Sequence, residues 1–214
     1  MKRNDNGKLT GAEERELVLQ AGIQAIPHIG SSLSTLYFGK KQALRFKRLE
    51  SFYTDLVRDI SNISDQIVSM EKQNTEAFIA ILENLHERVE AEHSKEKRQF
   101  LKNYFKNTLR YPVTTDFDKR KYFLDTIAEM TLLECEMLSF LCVQSGCIAV
   151  GKIKKSNTDQ YAIVGAINCL KSYGFIMAFQ GNFSIGSGRE DNVLQEEVQV
   201  STFGREFRNF CLEA

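Results

Sequence analysis

The sequence contains no tryptophan and only two prolines among its 214 residues. Because proline interrupts helices, so low a proline content favours a mainly helical chain. Lysine plus arginine equals aspartate plus glutamate, with 28 of each, so no global charge draws the chain to nucleic acid or to an acidic membrane. Any attraction to such a partner must come from a local cluster of charges.

The sequence also lacks the cysteine pattern of a secreted or zinc-binding protein. Its five cysteines form no Cys-x-x-Cys pair, and an odd number cannot all be paired within one chain. The first apolar run begins late and has no small-residue cleavage pattern, so we expect no cleavable signal sequence. These features predict reduced thiols in a cytoplasmic protein.

No familiar catalytic motif is present. The sequence has no nucleophile elbow, no nucleotide fingerprint and no paired-carboxylate motif, and its three histidines lie outside the cysteine-bearing region. A glycine-rich loop at Gly181, Gly186 and Gly188 is not followed by Gly-Lys-Ser/Thr, so it does not match a phosphate-binding loop. We interpret it as the loop between two strands that forms the wing of a winged-helix domain. We therefore predict no enzymatic activity, no catalytic residue and no cofactor.

Two Glu-x-x-His units, Glu83–His86 and Glu90–His93, lie seven residues apart on one predicted helix. Helical spacing brings all four side chains near one face, and di-iron helix bundles use the same unit. In those bundles, however, the two units lie on different helices that face inward. We therefore favour a solvated helix face and predict no metal site.

The most unusual stretch is Leu17–Gly39, where no Asp, Glu, Lys or Arg occurs. Its length suits a hydrocarbon core about 30 Å thick, but Pro27 divides it and many of its residues are polar. Pairs of small residues four apart allow helices to approach closely. The segment is therefore a buried helix–turn–helix, a conditional membrane or pore segment, or a single-span anchor. The residues predicted for membrane insertion and self-association are Ala21, Ala25, Pro27, Gly30 and Ser34.

A heptad pattern follows from Phe46 to Met70, with apolar residues spaced alternately three and four apart. Sustained heptads are typical of a coiled-coil-like helix, so we predict one long helix over this range. Its seam could close on a second copy of the chain or on a later helix of the same chain. The residues predicted for an oligomer seam are Leu49, Tyr53, Leu56, Ile60, Ile63 and Ile67.

Further helix starts are predicted at Asn74, at Ser94 and at Thr131, the last with Glu134 in a capping box. The C-terminal part then reads as a helix over Asn157–Tyr173, a glycine stop, two strands joined by a loop, and a short closing helix. This order predicts a winged helix. The expected organisation is an apolar N-terminal segment at 1–40, a helical coiled-coil-like domain at 41–115, and a small winged-helix-like α+β domain at 116–214.

A winged helix invites DNA binding, so the charge of this region matters. Residues 111–214 contain ten Lys/Arg against thirteen Asp/Glu, a net charge of −3. Within the predicted recognition helix, Lys171 is the only basic residue. Neutralisation of phosphates supplies most non-specific DNA affinity, so we expect little binding to nucleic acid. The candidate nucleic-acid patch is Lys152, Lys154, Lys155 and Arg189.

Short motifs follow one another along the chain: Ile26–Gly30, Arg45–Glu50, Glu96–Arg98 before a helix containing Asn103 and Asn107, and Thr202–Phe207. Their order resembles a loose group of small bacterial proteins, some linked to phage defence or abortive infection. Members have a Gly- and Pro-containing apolar segment, a helical middle and a winged-helix-like end. The motifs contain no catalytic residue, so the resemblance implies an architecture and a defence role but no active site.

We therefore expect a bacterial anti-phage defence protein that senses a protein trigger, for example one derived from a phage. It would then self-associate as a homo-oligomer and perturb the inner face of the cell membrane through Leu17–Gly39. Two alternatives stay open, a soluble dimeric winged-helix DNA-binding regulator and a non-enzymatic protein-interaction adaptor.

Overall fold

The structure is a computed structural model that describes residues 43–60, 63–69, 72, 74–179 and 192–213. It is mainly helical, with a small three-stranded antiparallel sheet near the C-terminus, as the sequence predicts at this level. The chain divides into two compact units, residues 1–121 and 122–214. The sequence-based boundary at 115/116 lies six residues before that division.

The first described helix, α1 (Ala43–Ile60), carries the heptad seam but is shorter than predicted. Ile63 lies in a turn and Ser64–Gln66 forms a 3-10 turn, so a single helix to Met70 is wrong. The sequence after Ile60 is Ser-Asn-Ile-Ser-Asp, and Ser, Asn and Asp side chains compete with helical hydrogen bonds by bonding to nearby backbone. Local polar chemistry therefore ends the helix although the apolar spacing continues.

The heptad seam of α1 lies in the core of the N-terminal unit. Leu49, Tyr53, Leu56 and Ile60 are at most 2% exposed. They belong to a helix that packs against α2 (Thr75–Ala91) and α3 (Lys95–Arg110) of the same chain. The structure thus shows the second predicted arrangement of the seam, and a role for these residues in self-association stays a prediction.

Helices α2 and α3 begin where their caps predict. The Asn74 side chain accepts a hydrogen bond from the amide of Ala77, and the Ser94 hydroxyl accepts one from the amide of Lys97. Each cap satisfies an amide that has no partner within its own helix. Helix α3 ends at Arg110, immediately before Tyr111 and the proline that excludes helical backbone.

The C-terminal unit contains the end of α4 (Phe117–Glu129), α5 (Leu132–Val143), β1 (Ile148–Ala149), α6 (Gln160–Ser172) and β2 (Ile176–Phe179). After the undescribed residues 180–191 follow α7 (Asn192–Gln195), β3 (Glu197–Val200) and α8 (Thr202–Phe207). A π-type turn, Arg208–Leu212, continues from α8. The strand order is β1-β3-β2, with both pairings antiparallel, so β2 is an edge strand.

Local signals set the ends of α5 and α6. The predicted Thr131–Glu134 capping box is present at the start of α5. Helix α6 starts three residues later than predicted, because Asn157 has a positive φ of 57° and Asp159 provides the cap. Gly174 has a φ of 74°, the left-handed conformation that favours glycine, and stops the helix as predicted.

An aromatic cluster forms much of the core of the C-terminal unit. The rings of Phe175 and Phe207 stack with centroids 4.2 Å apart, and Phe123 meets Phe207 edge to face at 5.2 Å. Gly204 lies so close to the backbone of Phe175 that a Cβ atom would collide with its carbonyl group. The glycine of the Thr-Phe-Gly sequence at the start of α8 is therefore a packing requirement, because only glycine lets the helix approach this closely.

Candidate functional site

The outward face of α6 is uncharged and composed of small or polar residues. Its exposed positions are Tyr161, Ala162, Gly165, Asn168 and Ser172, and Tyr161 is 61% exposed. The opposite face, which includes Ile163 and Ile167, is buried in the unit. The helix thus presents one accessible face that carries an aromatic ring but no charge.

The only charged residue within α6 is neutralised inside the unit. The Nζ atom of Lys171 lies 2.6 Å from a carboxylate oxygen of Glu196. Helices that enter the groove of DNA usually carry lysine or arginine directed at phosphates or bases. The outward face of α6 carries no such side chain, and weak affinity for nucleic acid stays a prediction.

The candidate nucleic-acid patch is only partly described, because Arg189 lies outside the described residues. Lys152, Lys154 and Lys155 are all exposed. Lys155 forms an ion pair with Glu136, and Lys154 donates a hydrogen bond to the side-chain oxygen of Gln160. One of the three positive charges is therefore matched by an acid, and a role of this patch in binding nucleic acid stays a prediction.

The edge strand β2 adds apolar surface to the C-terminal unit. Met177 and Phe179 are each 44% exposed and lie opposite Gln199 and Glu197 of β3 in the register of the sheet. Natural edge strands are usually protected by charge or proline, and Ile176–Phe179 contains neither. Exposed aromatic and methionine side chains are enriched at protein–protein interfaces.

The predicted alignment of the two Glu-x-x-His units on one helix face is wrong. His86 is 3% exposed and its Nε2 atom is hydrogen-bonded to the hydroxyl of Tyr53, whereas Glu83 is exposed and His93 lies beyond the end of α2. Burial lowers the pKa of His86 from 6.5 to about 3 and raises that of Tyr53. In the part of the chain that the structure describes, no group of three acidic, histidine or cysteine side chains could hold a metal ion.

Two of the cysteines have environments unlike that of an activated nucleophile. Burial raises the pKa of the Cys142 thiol, and burial together with Glu134 raises that of Cys169. Catalytic thiols need the opposite shift, because the thiolate is the reactive form. Cys147 is exposed, and its sulfur lies 3.7 Å from the side-chain oxygen of Gln199.

The residues predicted to act in a membrane, Ala21, Ala25, Pro27, Gly30 and Ser34, lie outside the described residues. Across residues 43–60, 63–69, 72, 74–179 and 192–213, no helix combines the length and the apolar character needed to cross a bilayer. Comparisons with protein-family models, with curated protein sequences and with solved structures find no match. The resemblance to small defence proteins therefore stays a prediction.

Proposed function

We propose that this chain is a non-enzymatic recognition protein whose C-terminal unit is a winged helix that docks a protein partner through the outward face of α6. The observation that carries the proposal is the lack of charge on that face, where Tyr161, Gly165 and Asn168 are exposed. The order α5, β1, α6, β2, β3 with β3 between the other two strands supports the winged-helix reading. In that arrangement α6 occupies the place of the recognition helix.

The chemistry of the face favours protein over DNA. Duplex DNA carries one negative charge about every 1.7 Å along its axis, and a surface without cations gains nothing from that charge. Interfaces between proteins are depleted of charge at their centre and enriched in tyrosine. Ala162 and Gly165 are small, so a partner backbone could approach α6 closely while Tyr161 provides an aromatic contact.

We further propose that docking controls the apolar segment Leu17–Gly39 in a bacterial anti-phage response. Its uncharged composition and the small residues Gly30 and Ser34 support self-association and membrane perturbation after a protein trigger binds. Gly30→Leu with Ser34→Leu would keep association with liposomes and lose dye release. If the wild-type chain with its trigger neither sediments with liposomes nor releases dye, the membrane proposal fails while the docking proposal stands.

A dimeric DNA-binding regulator is the second candidate, because the same element order suits it and the exposed Lys152 and Lys154 lie just before α6. Fluorescence anisotropy with a random duplex at several salt concentrations separates the two. We expect no measurable affinity at physiological salt. Tight, salt-sensitive binding of the duplex would favour the regulator if the double variant Lys154→Glu with Lys155→Glu weakened it. That result would reject protein docking as the main function.

Gly165 offers a matched pair of variants for the docking face. A Cβ atom at this position would meet nothing within 4 Å and would lie on the exposed face of the helix, so Gly165→Arg and Gly165→Ala should both fold. In phage-challenged bacteria that express the chain, we expect Gly165→Arg to abolish protection and Gly165→Ala to retain it. Equal protection by both variants would show that a bulky charged side chain is harmless on α6 and that no partner docks there.

A further inference from the structure

A groove of about 270 Å³ lies between α1 and α3 in the N-terminal unit. Positively charged side chains dominate its wall on α3. The residues that matter for its chemistry are Ser51 and Asp55 on α1, and Lys95, Arg98, Gln99 and Lys102 on α3.

The acidic side chains around the groove are already matched by cations. The Nζ atom of Lys102 lies 2.8 Å from Asp59 Oδ2, and the Nζ atom of Lys106 lies 3.9 Å from the same oxygen. One carboxylate therefore faces two ammonium groups. Asp55 forms an ion pair with Arg58, which leaves that pair neutral.

Two further cations, Lys95 and Arg98, share one carboxylate, that of Glu96, which interacts electrostatically with both. The Nη1 atom of Arg98 donates to the carbonyl oxygens of Glu92 at 2.9 Å and His93 at 3.0 Å, which are uncharged acceptors. Lys95 is exposed in the first turn of α3, where the helix dipole is positive. Glu96 is the only acid on α3, and one of its carboxylate oxygens accepts a hydrogen bond from the Ser94 hydroxyl.

The charged side chains at the groove leave a net positive charge, which would match a ligand that carries two negative charges. Lys95, Arg98 and Lys102 line the groove, and Lys106 shares the Asp59 carboxylate with Lys102. These four positive charges stand against the two carboxylates of Asp59 and Glu96, which leaves a net charge of +2. We propose that this groove binds the phosphoryl group of a small phosphorylated ligand. A guanidinium offers five donors in a planar fork, of which the two carbonyls use one nitrogen. The Ser51 hydroxyl adds a neutral donor, and so does the second N–H of the Gln99 amide, whose nitrogen also donates to Asn103.

Inorganic pyrophosphate is the probe, titrated into the full-length chain by calorimetry, with sulfate at matched ionic strength as the reference anion. We expect saturable binding of pyrophosphate at one site and a larger rise in thermal midpoint than sulfate gives, because pyrophosphate carries more negative charge. Absence of saturable pyrophosphate binding overturns the proposal.

Lys95→Glu separates binding from folding. A carboxylate in the first turn of α3 is favoured by the helix dipole, so this variant should melt at the same temperature as the wild type or higher. Reversing one charge at the site should weaken pyrophosphate binding by about tenfold or more. Lys72→Glu makes the same change at an exposed lysine outside the groove and should bind as the wild type does. Equal affinities of Lys95→Glu and wild type, or equal weakening by both variants, would contradict a specific site.

The phosphoryl group could belong to a soluble metabolite or to a lipid headgroup, and vesicles distinguish the two. Sedimentation with phosphatidic acid vesicles, lost in Lys95→Glu and absent with phosphatidylcholine vesicles, would identify the headgroup as the source. Pyrophosphate binding without vesicle binding would identify a soluble ligand. Because the groove lies in residues 1–121 and α6 in residues 122–214, failure of this proposal leaves the docking proposal untouched.

Discussion

The buried His86–Tyr53 pair should make the stability of this protein fall in mild acid. Burial lowers the pKa of His86 to about 3, so the folded chain keeps the imidazole neutral down to that pH. The unfolded chain takes up the proton near pH 6.5. Between these values the unfolded state binds more protons, and stability is therefore complete above pH 6.5 and is lost progressively as the pH falls towards 3.

The size of the effect follows from the pKa difference. Each pH unit below 6.5 lowers the unfolding free energy by about 1.4 kcal/mol. Lowering the pH to 5 should therefore reduce the unfolding free energy by roughly 2 kcal/mol. For a chain of this length, that corresponds to a fall of about 4–8 °C in melting temperature. Burial raises the pKa of Glu92, but hydrogen bonds from Ser94 and Lys97 outweigh burial and hold it below 4.5. Its own effect on stability therefore begins below the chosen window.

The assay is urea unfolding followed by circular dichroism at several pH values from 7.5 to 5. The matched control is Tyr53→Phe with His86→Leu, which replaces both buried polar partners by apolar side chains and removes the proton site. We expect the pH dependence in this window to be largely absent from the control. If the wild type and the control lose equal stability between pH 6.5 and 5, the buried neutral histidine is not the cause and the reasoning is refuted.

Three further predictions concern single positions. Gly165→Ala should raise the unfolding free energy by about 0.5–1 kcal/mol in chemical denaturation, because alanine is a better helix former than glycine and its Cβ atom meets no clash at this exposed position. Gly204→Ala should lower the unfolding free energy of the C-terminal unit, because its Cβ atom would collide with Phe175. A change of the same sign in both variants would contradict the packing described. Thr131→Ala should cost about 1 kcal/mol in the same assay, because it removes the side-chain cap of α5, and no loss would show that the cap is dispensable. Iodoacetamide should modify Cys147 first in the native chain, because that thiol is exposed, and peptide mapping that finds a buried cysteine modified first would contradict its environment.

Helix starts were the features best predicted from the sequence, because each depends on one side chain and an amide three residues away. Asn74, Ser94 and Thr131 all cap the helices expected of them. Strands β2 and β3 were also predicted, since each contains a run of apolar or β-branched residues next to a turn. These signals are local, so tertiary contacts do not overrule them.

Features that depend on distant partners escaped sequence reasoning. Strand β1 has two residues and exists because Ile148 and Ala149 pair with β3, nearly fifty residues away. The heptad pattern could not show that α1 ends at Ile60, because the apolar spacing continues to Ile67. Ile67 is buried in the core although it lies beyond the end of the helix. The charged residues around His86 predict a solvated helix face, whereas His86 is buried. Its burial depends on a hydrogen bond to the hydroxyl of Tyr53, which lies on another helix.

The basic groove was missed for a related reason. The sequence shows Lys95, Arg98 and Lys102 as a charged run at helical spacing, which is usual for a solvated face. Only the structure shows which carboxylates approach them and that Arg98 is held by carbonyl oxygens. The net positive charge left around the groove, and not the number of basic residues, identifies the candidate site.

Site-specific photo-crosslinking tests protein docking on α6 most directly. A benzophenone side chain at the exposed Asn168 would be illuminated in cells that produce the chain during phage challenge, with Ser156, exposed in a loop, as the control position. We expect a discrete protein adduct from Asn168 alone, kept by Gly165→Ala and lost by Gly165→Arg. An adduct with DNA, or the same protein adducts from both positions, would contradict it.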